Sequence, residues 1–225
     1  MLALLLLLHS ADAASTTERL AEIQSAWRAT DAYCGSFILA LYGQANAAIS
    51  TGSTCWSRAD RIRTETDSPL GPVIEIRGDR EVWYHNPARP VVLHFKASAD
   101  LDTPSTREVG EGIGELVALL VAAPSLEALP DTDIAGRPTW AFQTPRGRDE
   151  AVIFVDAARR LPVALELRRD DKPVMSYGLA ELEVNLPLPE SVFTIEAPEG
   201  YPVVDMVFDP NVETPSEAAG RAPLE

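Results

Sequence analysis

The sequence is short of the residues that usually carry covalent chemistry. It holds two cysteines and three histidines in 225 residues. No H-x-x-H or H-E-x-x-H spacing occurs, so no metal and no other cofactor is expected. No G-x-S-x-G elbow is present. The glycine-rich stretch Gly110-Glu111-Gly112-Ile113-Gly114 carries acid that would repel a phosphate. Positive charge is scarce as well: 19 Lys and Arg stand against 34 Asp and Glu, a net charge of −15. Nucleic acid is bound through Lys and Arg on its phosphates, so this balance argues against it, and against anionic membrane surfaces. Past the N-terminus no run reaches the ~18 apolar residues that suggest a spanning helix. These absences point to a protein that binds rather than one that catalyses. No catalytic residue is expected, and no enzyme.

Apolar residues make up 46% of the chain and charged residues 24%, the balance of a globular protein with a sizeable core. Leu2 to Leu8 form an apolar run followed by Ala11-Asp12-Ala13, a small-x-small pattern. The run is too short to span a bilayer and reads as an export signal, cut after Ala13 or Ala14. Residues 1–14 are therefore expected to leave, residues 15–208 to form the folded domain, and residues 209–225, acidic and proline-containing, to be a disordered tail.

Ser15 and Glu18 have capping-box spacing, and Leu20, Ile23 and Trp27 follow three and four apart, so a helix is expected from there to about Ala32. Then the period changes. Strands are expected at 37–42, 48–56, 61–65, 73–77, 82–84 and 91–96, divided by turn residues such as Gly78-Asp79 and Asn86-Pro87. Residues 97–108 read as a loop. Ile113, Leu116, Val117, Leu120 and Val121 form a helical stripe that Pro124 ends. A second strand run is expected at 139–143, 151–155, 161–169, 174–182 and 192–195. No helices alternate with these strands, so the sheet should be antiparallel.

Cys34 and Cys55 lie on the first two strands. If Tyr42 pairs with Ala47 across the turn, Cys34 stands directly opposite Cys55, a placement that suits a disulfide. His85 and His94 flank a predicted turn on neighbouring strands. Aromatic residues recur along the strands. Periodicity alone does not separate a filled core from a sheet that leaves an apolar cavity for a ligand.

Three segments resemble the periplasmic lipoprotein-carrier superfamily of the LolA/LolB type. Ser57-Arg58-Ala59-Asp60-Arg61-Ile62-Arg63-Thr64-Glu65 is similar to its "k-x-P-d-r-x-R-x-e" strand, with Ala59 at the proline. Gly78-Asp79-Arg80-Glu81-Val82-Trp83-Tyr84-His85-Asn86-Pro87 is similar to "d-G-x-x-v-W-x-Y-x-P", with His85 at the usual aromatic place. Arg160-Leu161-Pro162 through Asn185, Pro187, Phe193, Pro198, Gly200 and Tyr201 follows the family's C-terminal pattern.

The resemblance implies a mainly β α+β fold: an unclosed antiparallel β-barrel of about eleven strands with helices covering the concave side. It implies a periplasmic carrier of lipoprotein acyl chains or other lipid, with an inner-membrane donor and an outer-membrane acceptor, and a monomer is expected. Arg58 aligns with an arginine that bonds the helical lid. The helix at 113–121 would belong to that lid, with Gly110, Gly112 and Gly114 letting it move. Cavity and lid residues are expected to be Trp27, Phe37, Leu39, Trp56, Arg58, Ile62, Trp83, Phe95, Ile113, Leu116, Leu120, Trp140, Phe142 and Phe154. The alternative within the superfamily is a regulatory or sensor protein that docks a protein partner on the same concave face.

Overall fold

The computed structural model describes residues 16–43, 47–59, 61–68, 71–78, 81–97 and 112–208. The expected export signal, Ser15, Gly110, the 98–108 stretch and the acidic tail lie outside them. The described strands form one twelve-stranded sheet in the order β12-β6-β5-β4-β3-β2-β1-β11-β10-β9-β8-β7, with two helices. Hydrogen bonds do not close the sheet, because β12 and β7 end it. This is the expected unclosed, mainly antiparallel architecture, in which β12 runs parallel to β6.

Helix α1 covers residues 16–28 and buries Ile23, with Leu20 and Trp27 half-buried. The Thr30 hydroxyl donates back to the carbonyl of Ala26, 3.0 Å away, at the end of the helix. The first meander runs through β1 (Ala32–Tyr42), β2 (Ala47–Ser57), β3 (Arg61–Ser68), β4 (Gly71–Arg77), β5 (Glu81–His85) and β6 (Val92–Ala97). Helix α2 (Ile113–Ala122) buries Ile113, Leu116, Val117 and Leu120. Val121, expected on the same stripe, is 48% exposed. Eight residues on from Ile113 it sits about 80° around the helix, at the margin of the covered face. The second meander comprises β7 (Glu127–Ile134), β8 (Arg137–Arg146), β9 (Asp149–Asp156), β10 (Leu161–Arg169) and β11 (Lys172–Val184).

The strand expected at 192–195 is instead a short 3-10 turn, Glu190–Phe193. Prolines at 187 and 189 supply no amide donors, so this stretch is ill-suited to a ladder. Two strands were not foreseen, β7 and β12 (Val203–Phe208). They are the two sheet edges. An edge strand need not bury one continuous face, so its alternation is weak. In β7, Pro130 and a register shift between Leu129 and Thr132 break it further.

By contacts the chain divides into two compact bodies. The first takes its described residues from 1–30, 38–48 and 110–180, the second from 31–37, 49–109 and 181–225. In the first, register puts Phe142, Ile153 and Leu165 side by side across β8, β9 and β10, and the first two are wholly buried. In the second, one row of paired residues crosses five strand boundaries: Trp56, Ile62, Arg77, Val82, Phe95 and Met206. Val82, Leu93 and Phe95 form its core cluster, with Tyr84, Val91 and Met206 packed against it.

Gly52 is required by close approach. A Cβ there would meet the Phe37 ring at 2.8 Å and the Glu65 carbonyl oxygen at 1.9 Å. An aromatic side chain lies over a strand glycine and fills the space its missing side chain leaves.

Candidate functional site

In the first body, α2 packs on β10, whose Leu161, Val163 and Leu165 are buried. The helix has the composition of an apolar plug: eight of its ten residues are aliphatic, in the sequence IGELVALLVA. Its N-cap is Gly112, at φ 106°, and no side chain caps it. Glu115 on its first turn approaches Arg146 at 3.6 Å, beyond ordinary hydrogen-bond reach. Helix α1 is tied differently. Arg19 forks onto both oxygens of Asp131 at 2.7 and 3.0 Å and lies 5.1 Å from the centre of the Trp140 ring. Glu22 accepts from Arg160.

The structure reassigns Gly114. It was expected to serve as a hinge before the helix, but it lies inside α2, against Trp27. Gly112 keeps a backbone role, since its positive φ favours glycine.

In the second body, Cys34 and Cys55 form a disulfide with Cα atoms 4.1 Å apart. The same pairing places Asp31 opposite Arg58: the Arg58 amide donates to the Asp31 carbonyl at 2.8 Å, and its Nε to Asp31 Oδ1 at 3.0 Å. Asp31 belongs to the turn between α1 and β1, and its own amide donates to Asn185 Oδ1 at 2.7 Å. Next to the bridge, Tyr33 and Trp56 stack with centroids 5.7 Å apart.

Register sorts the expected aromatic residues by face. Trp56, Ile62 and Phe95 share a row, and neighbouring positions alternate sides of the sheet. Trp83 falls in the adjacent row, between Ile76 and His94, on the opposite face. The first body repeats the pattern. Trp140 and Phe142 share a face, while Phe154 pairs with Ala141 and faces the other way. Leu39, in the first body, is half-buried.

In the second body, the face that carries Trp83 also carries both histidines. His94 lies flat on Trp83, with centroids 3.7 Å apart and planes 12° apart. Its Nδ1 is 2.9 Å from Asp205 and its Nε2 is 2.8 Å from Glu81. Lys96 and then His94 hold the Asp205 carboxyl below the usual carboxylate range. His85 stacks on Tyr201 at 5.9 Å, and its burial lowers its affinity for a proton. Each histidine is thus stacked on a different ring. Among the described residues no group of His, Cys, Asp and Glu could hold a metal ion.

On the same face, two motifs read separately in the sequence come together. Arg61 Nη2 donates to Glu190 at 2.8 Å and its guanidinium covers Phe193 at 5.3 Å. Arg63 donates to the carbonyls of Val192 and Thr194, each at 3.2 Å. The arginines of the "r-x-R" strand thus anchor the turn that carries the motif phenylalanine. Sequence reading missed this, although the alternation of Arg61 and Arg63 put both on one face.

The chain is LolA-like. An outer-membrane lipoprotein carrier protein of Methylibium petroleiphilum is 28% identical to it over 163 residues, which is 69% of this chain and 72% of that protein. No family profile matches the chain. Among solved structures, an uncharacterized conserved protein from Thermus thermophilus superposes with a TM-score of 0.57 at 13% identity, over 85% of this chain and 99% of that one. MucB in its complex with MucA from Pseudomonas aeruginosa gives 0.50 at 14% identity, over 81% of this chain and 62% of that one. Both structures share the fold.

Proposed function

We propose that the protein is a periplasmic carrier that binds lipid or lipoprotein acyl chains in an apolar cavity opened where α2 now sits on the sheet. The supporting observation is the way α2 is held. Ile113, Leu116, Val117 and Leu120 are buried, so the seat of α2 is apolar. An acyl chain offers a like apolar contact, with each buried CH₂ contributing ~0.8 kcal/mol. It can therefore displace the helix and occupy its seat. Helix α1, forked onto Asp131 through Arg19, stays in place. The likeness to a lipoprotein carrier supports the same reading. No covalent step is needed. Export by the N-terminal signal, an inner-membrane donor, an outer-membrane acceptor and a monomeric state belong to this reading.

Mass spectrometry of organic extracts from the natively purified protein tests it, together with titration of a fluorescent fatty acid. Co-purifying acyl lipid and saturable micromolar binding are expected. A protein that yields no lipid and binds no probe rejects the proposal.

A second reading has one observation behind it, the fold shared with MucB, which is solved bound to MucA. On that reading the protein docks a regulatory protein partner on the same face. Capture of a stable, stoichiometric protein partner, unaffected by added fatty acid, would favour it.

A further inference from the structure

Between Asp31 and Arg58 lie 26 residues without one charged side chain, in a chain with a net charge of −15. They are β1, β2 and the segment joining them. Towards its C-terminal end β1 exposes large apolar side chains: Ile38 is 55% exposed, Leu41 48% and Tyr42 42%. Ala47 and Ala48 are exposed as well. The other end is different, with Tyr33 and Phe37 buried and Cys34 bridged to Cys55. Alternation along β1 places Ile38 and Tyr42 on one side and Leu41 on the other. Near Tyr42 both sides of the strand thus expose apolar side chains, although Ala40 between them is buried.

We propose that the Tyr42 end of β1, through Ile38, Leu41 and Tyr42, docks on a zwitterionic lipid surface. Charge selects that occupant. At −15, each chain repels both a second copy of itself and an anionic bilayer. This stretch meets a lipid interface with no charge to desolvate. A groove on a partner protein covers one side of a strand, whereas an interfacial layer covers both. Tyr42 has the amphipathic ring that prefers the headgroup level. The contact is separate from the acyl site under α2.

The test is co-sedimentation of the full chain with phosphatidylcholine vesicles, and with vesicles that also contain phosphatidylglycerol. The wild type is expected to sediment with phosphatidylcholine and less well once phosphatidylglycerol is added. Leu41→Asp and Tyr42→Asp should each partition at least about tenfold more weakly. Val207→Asp, at a residue 75% exposed on β12, should behave as wild type. Thermal melts check that the variants fold, and Leu41→Ser replaces Leu41→Asp if the acid unfolds the chain. Three results overturn the proposal: wild type that stays in the supernatant at every lipid concentration, Leu41 and Tyr42 variants that sediment like wild type, or a wild-type dimer that these variants abolish. Vesicle binding without fatty-acid binding would reject the carrier reading and leave this one intact.

Discussion

The indole of Trp27 occupies the space that a side chain at Gly114 would need: a Cβ built there stands 3.0 Å from Cζ2 and 3.5 Å from Cη2 of the ring. The absence of a side chain lets α2 lie against α1. Gly114→Leu forces a large group into that contact, and overpacking of this kind costs about 1–3 kcal/mol. A lower urea midpoint is expected. If α2 is the displaceable part, the same change weakens its seat and tightens binding of a fluorescent fatty acid several-fold. Weaker probe binding in a folded Gly114→Leu protein would show that α2 is not displaced by ligand.

The Cys34–Cys55 bridge links residues 21 apart. Closing a loop of this length restricts the unfolded chain by about 3 kcal/mol. The double variant Cys34→Ser/Cys55→Ser should lose about 2–4 kcal/mol in urea unfolding. Reductant should lower the wild-type midpoint similarly and leave the double variant unmoved. A wild-type midpoint indifferent to reductant would contradict the expectation.

What the sequence made legible follows from how local each signal is. The strand at 161–169 was read to the residue because Pro162 and alternating apolar residues mark its start, and the stripe from Ile113 to Leu120 is a one-helix pattern. The pairing that opposes Cys34 and Cys55 could be counted along the chain from the expected pairing of Tyr42 with Ala47. The edges β7 and β12 were lost because neither buries one continuous face. The site was harder for a related reason. Whether Trp83 shares a wall with Phe95, or Phe154 with Phe142, depends on how neighbouring strands pair, and one residue of slip inverts the answer. The contact of Gly114 with Trp27 joins positions 87 apart, and no periodicity reports it. His94 meets Asp205 across 111 residues, through a strand that had not been foreseen.

That histidine holds the last strand. Nδ1 of His94 reaches Asp205 on β12 and Nε2 reaches Glu81 on β5, while Lys96 reaches Asp205 at 3.2 Å. His94→Ala removes two charge-assisted contacts and the stack on Trp83. Backbone amides of Val204, Met206 and Val207 should then exchange with deuterium at least about tenfold faster. Amides of β9, buried in the other body, should be unaffected. Equal protection of β12 in variant and wild type would mean that its main-chain pairing with β6 suffices.

Burial of His85 sets a pH dependence with a definite sign. Its folded-state proton affinity is reduced, so between the usual histidine range and that lower value the unfolded chain binds more protons. The contribution is present above about pH 6.5 and is lost as the pH falls below it. His85→Phe puts an aromatic ring where the carrier motif has one and removes the titration. Between about pH 7 and pH 5 the wild-type melting temperature should fall more steeply than that of His85→Phe. Parallel curves for the two proteins would contradict this origin of the slope.

The β10–β11 turn offers a test in the stabilising direction. Asp170 and Asp171 both have positive φ, 50° and 60°, between the paired residues Arg169 and Lys172. Two consecutive left-handed residues make a type I′ turn, which suits the right-handed twist of the strands and favours Asn-Gly. Aspartate adopts this conformation at a cost that glycine does not incur. Asp170→Asn with Asp171→Gly should therefore raise stability by about 1 kcal/mol, read as a higher urea midpoint. The pair also removes two adjacent acids from a chain that carries an excess of them. To separate charge from backbone, Asp170→Asn/Asp171→Asn lowers the charge without introducing glycine, and should recover less of the gain. In the β7–β8 turn, Gly136 already sits at φ 78°, and Gly136→Ala should lose about 1 kcal/mol by the same argument. An Asn-Gly turn that leaves the midpoint unchanged while Gly136→Ala is harmless would mean that the strands, and not the turns, set these two hairpins.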